Sequence, residues 1–129
     1  MNIPERYQDL FKDETKAYLF LATIMDDGTP QVTPVWFNTD GEHILINTSV
    51  GRVKDRNIQA RPDVALCILD LNEPYHYIQI RGKVVERTTE GADEHINTLS
   101  QIYDGKDWSA SPNQTRVIYK ISVDKISGY

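Results

Sequence analysis

Apolar and polar positions alternate with a period of two over most of this chain, and turn residues cut the alternating runs at short intervals. Lys16 to Met25 contains the run Ala-Tyr-Leu-Phe-Leu-Ala-Thr-Ile and stops at Asp26-Asp27-Gly28-Thr29-Pro30, where Asp27-Gly28 predicts a hairpin. Gln31 to Asn38 predicts the returning strand, closed by Asp40-Gly41. Pro34 inside it has no N–H for a ladder, so the strand is confined to an edge or a bulge. Backbone groups near Thr33 to Trp36 are then left for another partner. His43 to Asn47 is a short β-branched strand, and Val64 to Asp70 is a continuous apolar run that predicts a strand buried on both faces. Tyr75 to Arg87 alternates along its length with a bend or bulge expected at Gly82, and Thr115 to Ile121 predicts the last strand.

Helical spacing is confined to three stretches. Pro4 to Phe11 places Tyr7, Leu10 and Phe11 on one side, and Glu90 to Tyr103 does the same with Ile96, Leu99, Ile102 and Tyr103. A compact helix follows Asn47, with Thr48 or Ser49 offering the cap and Pro62 ending it. About six strands joined by hairpins, with few and short helices, predict a mainly β fold: a closed or nearly closed antiparallel barrel. By length, residues 1–129 make a single domain.

Charge changes this picture at one place. Residues 51–62 carry Arg52, Lys54, Arg56 and Arg61 against Asp55 alone, in a chain of net charge -5. Cations in the first turn of a helix oppose its dipole, and an anion there would remove the conflict. A helical wheel started at Val50 turns Val53, Lys54, Asn57, Ile58 and Ala60 toward the fold, and Arg52, Arg56 and Gln59 away from it. A lysine on the packed side of a helix start beside free N–H groups fits a phosphate. The same spacing also fits a lysine that snorkels to solvent.

The remaining composition excludes more than it assigns. Nineteen acidic against 14 basic residues argue against a nucleic-acid partner. Cys67 is the one cysteine and sits among apolar strand residues, so neither a disulfide framework nor a thiol nucleophile is expected. No leader and no apolar run of membrane-spanning length is present, and a cytoplasmic protein is expected. His43, His76 and His95 lack metal-ligand spacing, and no hydrolase or phosphate-loop signature occurs. A chain with an anion site and no acid or nucleophile of its own borrows chemistry from a cofactor. Thr33-Pro34-Val35-Trp36 would meet the edge of a flat heterocycle, and Tyr75, Tyr77 and Trp108 are rings available to wall its pocket.

Ala22-Thr23-x5-Gly28-x-Pro30-Gln31-Val32-Thr33-Pro34-Val35-Trp36-Phe37, Asn47-Thr48-x5-Lys54-x-Arg56-Asn57-Ile58-x3-Pro62-x-Val64-Ala65-Leu66 and Tyr77-x-Gln79-Ile80-Arg81-Gly82-x-Val84 share one pattern. With Tyr103-x-Gly105 and Arg116 to Ile121, it closely resembles the split β-barrel flavin and deazaflavin oxidoreductases, the pyridoxamine 5'-phosphate oxidase-like family. The resemblance implies a six-stranded antiparallel split β-barrel, a homodimer, and FMN or the deazaflavin coenzyme F-420 in a cleft between the subunits. Carried onto this sequence, Arg52 and Lys54 hold the cofactor phosphate, while Thr48, Ser49 and Val50 line its approach. Thr33, Pro34, Val35 and Trp36 meet the ring, and Tyr77 and Gln79 reach across from the partner chain.

The likeness is nearest to the short deazaflavin-dependent members. Vitamin B6 oxidases end in a substrate-binding segment with Arg and His, whereas this sequence ends Ile126-Ser127-Gly128-Tyr129, so vitamin B6 oxidation is not expected. For a deazaflavin's glutamyl tail, Arg56, Arg61 and Arg81 are the candidate partners. The implied activity is hydride transfer between the cofactor and a small unsaturated or quinone-like substrate. The alternative is a carrier or sensor that binds the cofactor without turnover. No catalytic side chain is assigned, Tyr77 and Tyr103 being candidate proton donors only.

Overall fold

The computed structural model describes residues 1–128. Its strands are β1 (Tyr18–Ile24), β2 (Pro30–Val35), β3 (Phe37–Thr39), β4 (Ile44–Ser49), β5 (Asp63–Asp70), β6 (Glu73–Thr88), β7 (Arg116–Ile121) and β8 (Lys125–Gly128). Two α-helices, α1 (Val53–Ala60) and α2 (Ala92–Asp104), join β4 to β5 and β6 to β7. The strands run β2-β1-β5-β6-β7-β4-β3, with β8 added on β6, and every pairing is antiparallel. The terminal strands of this path, β2 and β3, are consecutive in sequence and separated by Trp36 alone. The sheet therefore curls until its ends meet, which makes the expected split barrel.

Two strands exceed the expected six. The run Gln31 to Asn38 breaks at Trp36 into β2 and β3, and the short, largely exposed β8 has little apolar alternation to announce it. Pro34 lies on the edge strand, in unbroken register with Phe20, so the edge reading of the proline holds and the bulge does not form.

β6 is the spine of the barrel. Up to Lys83 it pairs with β5, and from Val84 it pairs with β7. The change of partner falls just past Gly82, where a Cβ would lie 1.8 Å from the Ser122 carbonyl oxygen. The backbones are too close for any side chain. Gly82→Ala is expected to destabilise by about 3 kcal/mol, the upper range for overpacking, read as a lower urea midpoint at unchanged slope.

Inward positions fill the barrel: Leu19 and Leu21, Ile44 and Ile46, Leu66 and Ile68, Ile78 and Ile80, Tyr119 and Ile121 are all buried. β5 departs from expectation. Val64, Leu66 and Ile68 point inward, but Ala65 is exposed and Cys67 and Leu69 are partly so. Its second apolar face is not covered within one chain.

The N-terminal helix forms as a 3-10 helix over Glu5–Phe11, which stacks Tyr7 and Leu10, three apart, on the buried side. No helix among the described residues is long and apolar enough to cross a membrane.

Candidate functional site

Helix α1 starts without the expected cap. Thr48 and Ser49 stay in β4, and Arg52 is the N-cap residue, with no side-chain hydrogen bond. The turn instead closes on Asp55, whose Oδ2 accepts the Gly51 N–H at 2.9 Å. Gly51 adopts φ 92, a conformation that favours glycine. Asp55 is wholly buried. Its Oδ1 accepts Arg87 Nε at 2.9 Å and the Tyr119 hydroxyl at 2.5 Å, and its Oδ2 accepts Arg87 Nη2 at 3.1 Å and Gln59 Nε2 at 3.3 Å. Burial pushes the carboxyl toward neutrality, but Arg87, Tyr119 and the Gly51 N–H outweigh it and hold its pKa below the ordinary value. One acid thus ties the helix start to β6 and β7.

With that start fixed, the inward face of α1 comprises Lys54, Asp55, Asn57 and Ile58. Asn57 donates to Thr23 Oγ1 at 3.0 Å. Ala60, expected inward, is exposed, because the helix begins at Val53 and its inward arc centres on Asp55 and Ile58 rather than on Val50. Arg56 and Gln59 face outward as expected.

Lys54 opens into a cleft of about 310 Å³. Tyr18 comes from β1, Pro34 and Val35 from β2, and Trp36 from the junction of β2 and β3; β4 supplies Asn47 and Thr48. Arg52 and Lys54 line it from α1 and its cap, Ile96 and Leu99 from α2, and Trp108 and Arg116 complete the wall. Trp36 stacks on Tyr103 with centroids 5.3 Å apart and planes 4° from parallel, and it meets Trp108 edge-on at 6.1 Å. The Tyr103 hydroxyl donates to the Ala17 carbonyl at 2.5 Å, and burial raises its pKa. It does not line the cleft.

Three cations converge on this cleft without a bonded acid. Lys54 is half-buried and makes no hydrogen bond or ion pair among the described residues. Burial, then Arg52 and Arg116, lower its pKa. Among the described residues Arg116 donates to neutral oxygens only, Nε to Asn47 Oδ1 at 2.8 Å and Nη1 to Ser49 Oγ at 3.0 Å, with its guanidinium 5.2 Å from the Trp108 ring centre. Unneutralised cations beside the Trp36 and Trp108 rings form a donor set that fits a flat ring carrying a phosphate.

Of the residues expected at the site, Pro34, Val35, Trp36, Thr48, Arg52 and Lys54 line this one cleft. Ser49 borders it through Arg116. Val50 is 44% exposed and gives its N–H to the Thr115 carbonyl. Thr33 lies beside the lining residues on β2, and its buried Oγ1 has no partner among the described residues.

Tyr77 and Gln79 are not brought to the cleft by a single chain. Both are on β6, and Gln79 lines a separate depression of about 350 Å³ with Phe20, Val32 and Cys67. Tyr75, expected as a wall, is 81% exposed, while Trp108 takes that role. Arg61 is bonded to the Ile24 carbonyl and Asp26, and Arg81 lies at the separate depression.

Tyr18, Asn47, Asp55 and Arg116 were not predicted from sequence. Arg116 reaches the site because β7 pairs with β4, setting it opposite Ser49. The one available signal for Asp55 was its place as the lone acid in a basic helix.

The sequence profile of the pyridoxamine 5'-phosphate oxidase family matches residues 3–129. The chain is similar to a solved F-420 reductase at 35% identity, with a TM-score of 0.85 over 97% of this chain and 98% of that one. Its fold is also that of HupZ from Group A Streptococcus, at 21% identity and a TM-score of 0.69 over 97% and 92% of the two chains. HutZ, the heme storage protein of Vibrio cholerae, matches at 19% identity and a TM-score of 0.69 over 99% and 95%. At these identities the last two speak for the fold alone. No curated protein matches the chain.

Proposed function

Because the chain belongs to the pyridoxamine 5'-phosphate oxidase family, we propose that its cleft holds a flavin-type cofactor, FMN or coenzyme F-420, and that the protein is an oxidoreductase. The family and the likeness to an F-420 reductase support a flavin- or deazaflavin-related function. The observation that carries the reading is the convergence of Arg52, Lys54 and Arg116, bonded to no acid, beside Trp36 and Trp108. When bound, the cofactor supplies hydride transfer to or from a small unsaturated or quinone-like substrate. Lys54 and Arg52 bind the phosphate, Thr48, Ser49 and Val50 line its approach, and Thr33 to Trp36 offer backbone groups to the ring edge. Trp36, Trp108 and Leu99 exclude water from the ring face.

The functional unit of this reading is a homodimer. Support comes from the open face of β1, β2, β5 and β6, where Val32 is 63% exposed and Phe20, Ala65, Cys67 and Gln79 are incompletely buried. A second copy would cover these apolar positions and receive Tyr77 and Gln79 at its own cleft. Sedimentation of a stable monomer would count against it.

The visible spectrum and intact mass of whatever co-purifies test the cofactor directly. Lys54→Ala is expected to weaken cofactor binding by about 1.5–3 kcal/mol, the worth of a charge-assisted hydrogen bond; unchanged affinity in a titration would sink the phosphate assignment. A second reading rests on the lining, which contains no carboxylate and no imidazole. Such a cleft also suits a carrier or sensor. Stopped-flow reduction and reoxidation with quinones and enones separates the two, since a carrier's cofactor never cycles.

A further inference from the structure

Arg116 is an unusual site cation, because neutral groups hold it. A carboxylate partner would fix its position and cancel its charge, whereas amide and hydroxyl oxygens fix it and leave the charge for a ligand. The acceptor that matters most is Asn47 Oδ1, and an amide can present its oxygen only if its nitrogen is engaged elsewhere. Asn47 Nδ2 donates to the Ala92 carbonyl at 2.9 Å and lies 3.1 Å from His95 Nδ1. The carbonyl only accepts, which identifies the atom beside it as the amide nitrogen. The second amide hydrogen then faces Nδ1, which must be a lone pair. The imidazole proton is therefore on Nε2, 2.8 Å from Asn38 Oδ1.

We propose that His95 is a positioning residue for the anion site: as the neutral Nε2–H tautomer it accepts from Asn47, and so keeps Asn47 Oδ1 turned to Arg116 Nε. This rests on the reading of the cleft as an anion site. Asn47 is 8% and His95 9% exposed, so water does not replace a lost partner. From β3 and β4 the imidazole meets the neutral amides of Asn38 and Asn47; from β7 the charge acting on it is Arg116, which Asp93 of α2 also attracts. Burial and Arg116 keep the ring neutral, with a pKa lowered to about 4. A proton on Nδ1 would oppose the Asn47 N–H, rotate the amide and present a donor to the guanidinium.

Two substitutions separate this role from packing. His95→Asn places an amide oxygen near the Nδ1 position and keeps the acceptor. His95→Gln reaches the Nε2 position and leaves the second Asn47 Nδ2 hydrogen without an acceptor, the Ala92 carbonyl alone then holding the amide. In nitrogen-15 correlation spectra the Arg116 Nε–H should be slow to exchange in the parent protein and in His95→Asn, and lost in His95→Gln. In the parent its protection, measured against free arginine at the same pH, should also be lost as pH falls toward 4, while the Tyr119 backbone amide stays protected.

A second arm compares FMN with riboflavin, which differ by the phosphate. The parent's preference for FMN should fall about tenfold in His95→Gln, the equivalent of one such bond, and stay within about twofold in His95→Asn. An Arg116 Nε–H that survives in His95→Gln, or is lost equally in both variants, overturns the positioning role. A parent that binds FMN and riboflavin equally overturns the anion-site reading instead, and the exchange measurements still decide the relay.

Discussion

Asp55→Ala is expected to lower the free energy of unfolding by about 3–5 kcal/mol, the usual loss when a buried ion pair is broken from one side. The carboxylate collects five donors: two from Arg87, and one each from Tyr119, Gly51 and Gln59. Tyr119 is wholly buried and its hydroxyl would be stranded. The Arg87 side chain is 28% exposed and can reach water, which places the loss toward the lower end of that range. Tyr119→Phe removes one donor, leaves the ion pair, and should cost about 1 kcal/mol. Urea unfolding of both variants measures the order; equal losses would mean that the cluster is not organised around the acid. Since the same carboxylate holds the turn before α1, Asp55→Ala should also weaken ligand binding at Lys54, although Asp55 itself does not line the cleft.

Acidification gives the second large effect. His95 is neutral in the fold with a pKa of about 4, against an ordinary value of 6.5. Between these values the unfolded chain binds more protons, so stability rises with pH in that window and falls on acidification. The contribution is complete above pH 6.5 and lost as pH approaches 4, amounting to about 3 kcal/mol. His95→Asn removes the titration, so the stability gap between parent and variant should shrink or reverse by that amount from pH 7 to pH 4. Asp55 works in the same direction, its depressed pKa making its contribution complete above the ordinary carboxyl range and lost as pH falls through the folded value. It is common to both proteins and cancels in the difference. A gap independent of pH would show that folding leaves the His95 pKa at its unfolded value.

The barrel was readable because alternation is local. Leu19, Leu21, Leu66 and Ile68 reveal their inward face within their own strands. Lys54 was readable too, since helical phase alone turned it inward. Arg52 is exposed, as the wheel has it, and lines the cleft as well, because it stands at the cap position before the first helical residue. Arg116 and Asn47 depend on which strands pair, a property of the folded sheet that no run of residues displays. Asp55 was misleading for a related reason. It was counted against the four nearby cations, yet its partner Arg87 lies 32 residues away on β6. β5 misled by composition, because apolar residues on both faces read as burial within one chain.

The meeting of the sheet's two ends at Trp36 has an optical consequence. The chain has two tryptophans, Trp36 and Trp108, and both wall the same cleft. The intrinsic emission of the whole protein therefore originates at the place where a ligand ring would lie. A flavin-type chromophore seated there would absorb that emission at contact range, so quenching reports occupancy without any label.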